Sequence, residues 1–178
     1  MIVEMPRINA RGPMHPTGIV IHAMAEFLDL DPYDQPAYDF LRNQGLAAHY
    51  LISPSGMTMR CVDDTQICYH AKGHNAWLSE EQGWEGNIGI EVLVPGLHTY
   101  ATFVMAIAAE NTKNDVGWME YEQFDATVAL CKSLVDTHGI SPTRIKRHSD
   151  LSPGRKVDPG TGFPWERFLR TVEGTDNV

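Results

Sequence analysis

Two Ile/Val-rich runs constrain the fold of this chain more than any other feature. GIVIHAM (residues 18–24) and NIGIEVLVPG (residues 87–96) are short, apolar and bounded by glycine or Pro-Gly. Runs of this length and composition read as buried strands. Helical patterns lie among the strands without strict alternation. QPAYDFLRNQG carries Pro36 in its first turn and stops at Gly45. EYEQFDATVALCKSLVDTHG puts Phe124, Val128, Cys131, Leu134 and Val135 on one stripe at spacings of three and four, and Gly139 ends it. FPWERFLRTV is a C-terminal helix with Pro164 in its first turn. LAAHYLISPSGMTMRCV reads as a hairpin turning at SPSG, and RIKRH as a short last strand. Residues 1–17 read as an irregular lead-in; residues 97–118 read as a strand, a helix or an inserted flap. The pattern predicts an α/β (α+β) fold in a single domain, with one central mixed β-sheet flanked by helices.

Composition narrows the partners. The apolar fraction of 43% supports a real core, and the net charge of -9 disfavours nucleic acid or an anionic membrane held by bulk charge. Any cationic work must therefore be local. Three cysteines, Cys61, Cys68 and Cys131, are an odd number and do not form a disulfide framework. Cys131 reads as a reduced core thiol, and Cys61 and Cys68 lack the C-x-x-C spacing of a structural zinc site. The N-terminal run has no secretory pattern, and no stretch approaches the roughly 20 apolar residues of a membrane span. The expectation is a chain made in the cytoplasm without a signal peptide and without membrane insertion.

The run HSDLSPGRKVDPG (residues 148–160) concentrates rigidity and charge in one loop. His22 and His148 each end a predicted strand, where sheet proteins present ligands. A lone histidine there is more often a satisfied core residue. With Asp158, however, they make two nitrogens and one oxygen, the donor set of an open catalytic zinc site. Spacing this long is compatible with such a site and does not by itself single it out. Pro153, Pro159 and two glycines would hold the tight path between His148 and Asp158. Lys156 stands two residues before Asp158, on the same face of an extended stretch, where an ammonium can stabilise an oxyanion; a surface lysine is the plainer reading. His70, His74, Trp77 and Trp84 fall in a polar segment, as substrate contacts or as structural residues. His15, His98 and His138 read as solvated or capping, His49 as structural, and Asp150 as a loop cap.

RHSDLSPGRKVDPG resembles the C-terminal signature of the zinc-dependent N-acetylmuramoyl-L-alanine amidases. That superfamily includes phage amidase-type lysozymes (endolysins), cell-wall recycling amidases and peptidoglycan recognition proteins. GIVIHAM resembles its first strand, LAAHYLISPSGMTMRCV its hairpin and NIGIEVLV its central strand, in the expected order from about residue 18 to 170. The resemblance implies one Zn2+ per chain on His22, His148 and Asp158. It implies Glu91 as general base and Lys156 as the group that steadies the tetrahedral intermediate. His70, His74 and Trp77 become candidate contacts to a peptidoglycan or muropeptide substrate. Phage relatives often carry a catalytic tyrosine on the hairpin; here that position is Ala48, which favours the arrangement built on Glu91. The position two residues after the first ligand is Met24 rather than Thr or Ser. The implied protein is a peptidoglycan amidase that works as a monomer, with no nucleic-acid partner and no separate wall-binding domain. A phage or prophage endolysin reaching the wall through a holin-type pore is the leading expectation. A cytoplasmic recycling amidase and a non-catalytic recognition protein are the alternatives.

Overall fold

A computed structural model describes residues 2–26, 35–71, 86–109 and 115–175. Its strands are β1 (Ile2–Glu4), β2 (Gly18–Glu26), β3 (Tyr50–Ile52), β4 (Thr58–Arg60), β5 (Asn87–Leu97) and β6 (Ile145–Arg147). Its helices are α1 (Gln35–Asn43), α2 (Tyr100–Ala108), α3 (Tyr121–His138), the single turn α4 (His148–Leu151) and α5 (Trp165–Glu173). The strands form one mixed sheet in the order β1-β4-β3-β5-β2-β6. β3, β5, β2 and β6 run parallel, whereas β3 and β4 form an antiparallel hairpin. No described helix is long and apolar enough to cross a membrane.

Alternation along the strands sorts side chains to two faces. Ile19, Ile21, Ile88, Ile90, Tyr50 and Ile52 belong to one core, which α3 and α5 cover with Phe124, Val128, Cys131, Leu134 and Phe168. Residues of opposite parity, His22, Met24, Gly89, Glu91, Leu93 and Leu51, face the other way. There α1 adds Ala37, Tyr38 and Leu41 to a second core with Leu51, Met59 and Leu93. The helix of residues 121–138 ends as its sequence predicts: Gly139 adopts the left-handed conformation at φ 64° and donates its N–H to the Val135 carbonyl. All three cysteines are buried free thiols.

Five features differ from the sequence reading. His22 stands in the middle of β2 rather than at a strand end, because the strand runs on to Glu26. The lead-in is not wholly irregular, because Ile2–Glu4 pairs in parallel with β4 as an edge strand. β5 continues through Pro95 and Gly96 to Leu97, beside a register shift between Ala25 and Glu26. The ambiguous segment 97–118 contains helix α2, capped reciprocally by Thr99 and Thr102. Its amphipathic signal is weak because both faces are apolar: Phe103 and Ile107 pack on Ala23, Ala25 and Val94, while Tyr100 and Met105 are exposed. Pro164 stands at the N-cap of α5 rather than inside its first turn.

On the first face Phe168 of α5 is fully buried and stacks edge-on against Phe163 with ring centroids 5.4 Å apart. Phe168→Ala is expected to cost about 3–5 kcal/mol of unfolding free energy, read from urea denaturation. A loss below about 1 kcal/mol would show that α5 is not integral to this core.

Candidate metal centre and active site

Strand register builds the centre of the site. Parallel pairing places His22 opposite Glu91 and Ile21 opposite Arg147. His148, the residue after Arg147, therefore stands beside His22, so three neighbouring strands deliver Glu91, His22 and His148 to one row. The chain then turns once as α4, with the Asp150 carboxylate accepting the Arg147 N–H. This one helical turn was not read from the sequence. The loop returns so that the Ser149 N–H reaches the Asp158 carbonyl at 2.9 Å, which brings the Asp158 carboxylate back to His148.

Three donor atoms converge there. His22 Nδ1 lies 2.9 Å from His148 Nδ1, His148 Nδ1 lies 2.9 Å from Asp158 Oδ2, and His22 Nδ1 lies 3.5 Å from Asp158 Oδ2. All three side chains are buried. Ligands of a tetrahedral zinc ion stand roughly 3.3 Å apart, given bonds of about 2.0–2.1 Å. Two imidazole nitrogens this close repel through their lone pairs unless a proton or a cation lies between them. The buried His148 Nε2 has no hydrogen-bond partner among the described residues. It is the atom left to carry the ring proton when Nδ1 gives its lone pair to a cation. Donor set, spacing and burial all fit a divalent metal held by His22, His148 and Asp158.

Electrostatics keep these donors ready. Burial pushes His22 down to about 4, with His148 adding to the effect against the pull of Asp158, so the ring is neutral at pH 7. Burial alone would raise the Asp158 carboxyl, but His148 and His22 outweigh it and hold the group well below the usual range. Glu91 Oε1 stands 3.8 Å from His22 Nδ1. Burial, then the Asp158 charge, pushes Glu91 up to about 8, while Lys156 pulls it down.

The donors form the floor of a cavity of about 750 Å3. Phe40, Leu41 and Leu46 wall one side, Tyr100 and Phe103 of α2 the other, and Arg155 and Lys156 supply cationic edges. The ligand loop is tied to segment 97–118 at its far end: the Gly162 N–H donates to the Ile107 carbonyl of α2, and the Trp118 indole, beyond α2, donates to the Pro159 carbonyl. The segment hardest to read in the sequence thus braces the ligand loop and walls the cavity.

The remaining histidines divide by role. His70 lines the cavity, yet both its ring nitrogens are engaged, Nδ1 with His22 Nε2 at 3.0 Å and Nε2 with the Asn87 carbonyl at 2.7 Å. His49 accepts the Gly89 N–H on Nδ1 and donates from Nε2 to the Gln66 carbonyl. His138 pairs with Asp64. His74, Trp77 and Trp84 lie outside the described residues. Ala48 is fully buried, and Tyr50 faces the opposite core with its hydroxyl on Asp64, so the hairpin brings no tyrosine to the cavity. The link between His70 and His22 is absent from the sequence reading. Its available signal was Gly89, a glycine inside a strand, which marks a close approach.

A profile of the family described as N-acetylmuramoyl-L-alanine amidase matches residues 12–161. The 1,6-anhydro-N-acetylmuramyl-L-alanine amidase AmpD of Haemophilus influenzae is 28% identical over 144 residues, covering 81% of this chain and 68% of that protein. The N-acetylmuramoyl-L-alanine amidase AmiD of Escherichia coli is 22% identical over 172 residues, and this chain spans only 51% of its length. The fold is shared with the N-acetylmuramoyl-L-alanine amidase LysC from Clostridium intestinale, with a TM-score of 0.66 at 21% identity over 97% of both chains.

The shifted groups make metal-free stability depend on pH from both sides. His22 and His49, each at about 4 against an ordinary 6.5, withdraw stability as pH falls from about 6.5 to 4. Glu91, at about 8 against 4.5, withdraws it as pH rises from about 4.5 to 8. Glu91→Gln is therefore expected to stabilise the chelator-treated protein by roughly 2–4 kcal/mol at pH 8.5 and hardly at all at pH 4. Urea unfolding at the two pH values measures the difference.

Proposed function

The chain belongs to the N-acetylmuramoyl-L-alanine amidase family, and from that premise we propose that it is a zinc-dependent peptidoglycan hydrolase. The bond cut is the amide between the lactyl group of N-acetylmuramic acid and L-alanine of the stem peptide. The observation that carries this reading is the convergence of His22 Nδ1, His148 Nδ1 and Asp158 Oδ2 on a cavity floor beside Glu91. Zinc held there supplies Lewis-acid polarisation and acidifies water toward a pKa of about 7.

The protein's own groups do the rest. Glu91 takes the proton of the attacking water on its carboxylate and returns it to the leaving amine. Burial raises its proton affinity in the metal-free chain, and a cation bound beside it would draw that affinity back toward the neutral range that suits both transfers. The Lys156 ammonium, on the cavity wall, offsets the negative charge that develops on the carbonyl oxygen. The apolar walls from α1 and α2 limit the water that reaches the reacting amide. His22, His148 and Asp158 stay fixed throughout, each buried and carried by the middle of β2, the α4 turn or the braced loop.

Within that activity, the finer assignment is a phage or prophage endolysin acting on the intact wall, supported by the resemblance of RHSDLSPGRKVDPG to the phage amidases. In that role the chain is made in the cytoplasm, reaches the wall through a holin-type pore and acts as a monomer. A second reading, a recycling amidase acting on soluble anhydro-muropeptides, is supported by the 28% identity to AmpD and by a hairpin whose one tyrosine, Tyr50, faces away from the cavity. The complete ligand set weighs against a recognition protein without catalysis.

Purified peptidoglycan incubated with the zinc-loaded protein is expected to lose turbidity and release new N-terminal alanine, and a chelator should abolish both. Cleavage of soluble anhydro-muropeptide with intact walls untouched would select the recycling reading. Binding to walls without release would overturn the amidase assignment. Asp158→Ala should lose zinc and activity together. Glu91→Ala should keep zinc and lower turnover by about 10²–10⁴-fold; full activity in that variant would remove Glu91 from the mechanism.

A further inference from the structure

His70 sits one layer behind the proposed metal ligands, and for two neutral rings its two hydrogen bonds leave one arrangement of protons. The Asn87 carbonyl, 2.7 Å from His70 Nε2, accepts only, so His70 Nε2 carries a proton. As a neutral ring, His70 then has a lone pair on Nδ1. That lone pair faces His22 Nε2 at 3.0 Å, so His22 Nε2–H is the donor. His22 Nδ1 is left bare and turned toward His148 and Asp158.

The geometry points to His70 as a positioning residue that locks the tautomer and ring orientation of His22, with Gly89 as the opening that admits it. The His22 and His70 rings meet edge to face, with planes at 88° and centroids 5.2 Å apart. A Cβ on Gly89 would fall inside the His70 imidazole. The other side of Gly89 is fixed by His49, which accepts its N–H on Nδ1. One stretch of β5 thus serves two rows: Asn87 and Gly89 seat His70, and Glu91 stands in register with His22. Outer partners of this kind typically change metal affinity 10–100-fold. The functional value of the lock rests on the metal reading above, whereas the lock itself is a property of the metal-free chain.

The test uses the full chain, metal-free, with 15N-labelled histidine. In the wild type, NMR is expected to find the proton on His22 Nε2 and a scalar coupling across the hydrogen bond to His70 Nδ1. A proton on His22 Nδ1, or on His70 Nδ1, would overturn the assignment whether or not zinc binds. In competition against a chelator, His70→Ala should bind Zn2+ 10–100-fold more weakly. His70→Asn, whose amide oxygen replaces the Nδ1 acceptor, should recover most of that loss. Gly89→Ala should reproduce the His70→Ala defect. Zinc affinity unchanged in a folded His70→Ala protein would equally overturn the role. A wild-type chain that shows the coupling but binds no zinc would keep the lock and remove the metal reading instead.

Discussion

Two buried imidazole nitrogens 2.9 Å apart, with a carboxylate beside them, form an arrangement that needs positive charge at its centre. Much of the surrounding structure follows from holding it. Parallel strands β2 and β6 bring the two rings level. A rigid loop returns Asp158, and α2 anchors the end of that loop. None of these parts has a free choice of position, because a displacement of about 1 Å would separate donors that must share one ion.

The same site stores opposed electrostatic tendencies. In the metal-free chain burial disfavours every charged form, yet His148 and His22 hold the Asp158 carboxyl well below the usual range, while Glu91, a few ångströms away, is pushed up to about 8. Two carboxylates in one pocket are thus pushed apart in acidity. The chain as a whole is acidic, with a net charge of -9, but Arg155 and Lys156 line the cavity. Positive charge is therefore concentrated at the cavity of a chain that is acidic overall.

Much of the fold was legible because period-2 and period-3.6 patterns report burial directly. The runs at β2, β5 and α3 each bury one well-defined face. The pattern failed at α2, where one apolar face packs on the sheet and the other, with Tyr100 and Met105, stays exposed. It also failed at Ile2–Glu4, a three-residue edge strand too short to alternate measurably. His148 was read as the end of a strand, whereas it opens a helical turn; Asp150, read as a loop cap, accepts the Arg147 N–H there.

The sequence by itself determined which donors were available: a histidine inside one apolar run, a histidine just after another and an aspartate in a proline-glycine loop. It also determined the chemistry those atoms can perform, because ligand type and rigidity are local properties. Tertiary structure alone decided how they meet. Strand order and register set His22 against Glu91, an inter-residue relation that spacing along the chain does not encode. The proton arrangement at His22 depends on His70, 48 residues away, and on a missing side chain at Gly89. Such contacts arise only when separate segments are packed to within hydrogen-bond distance, and no periodicity in the chain reports that.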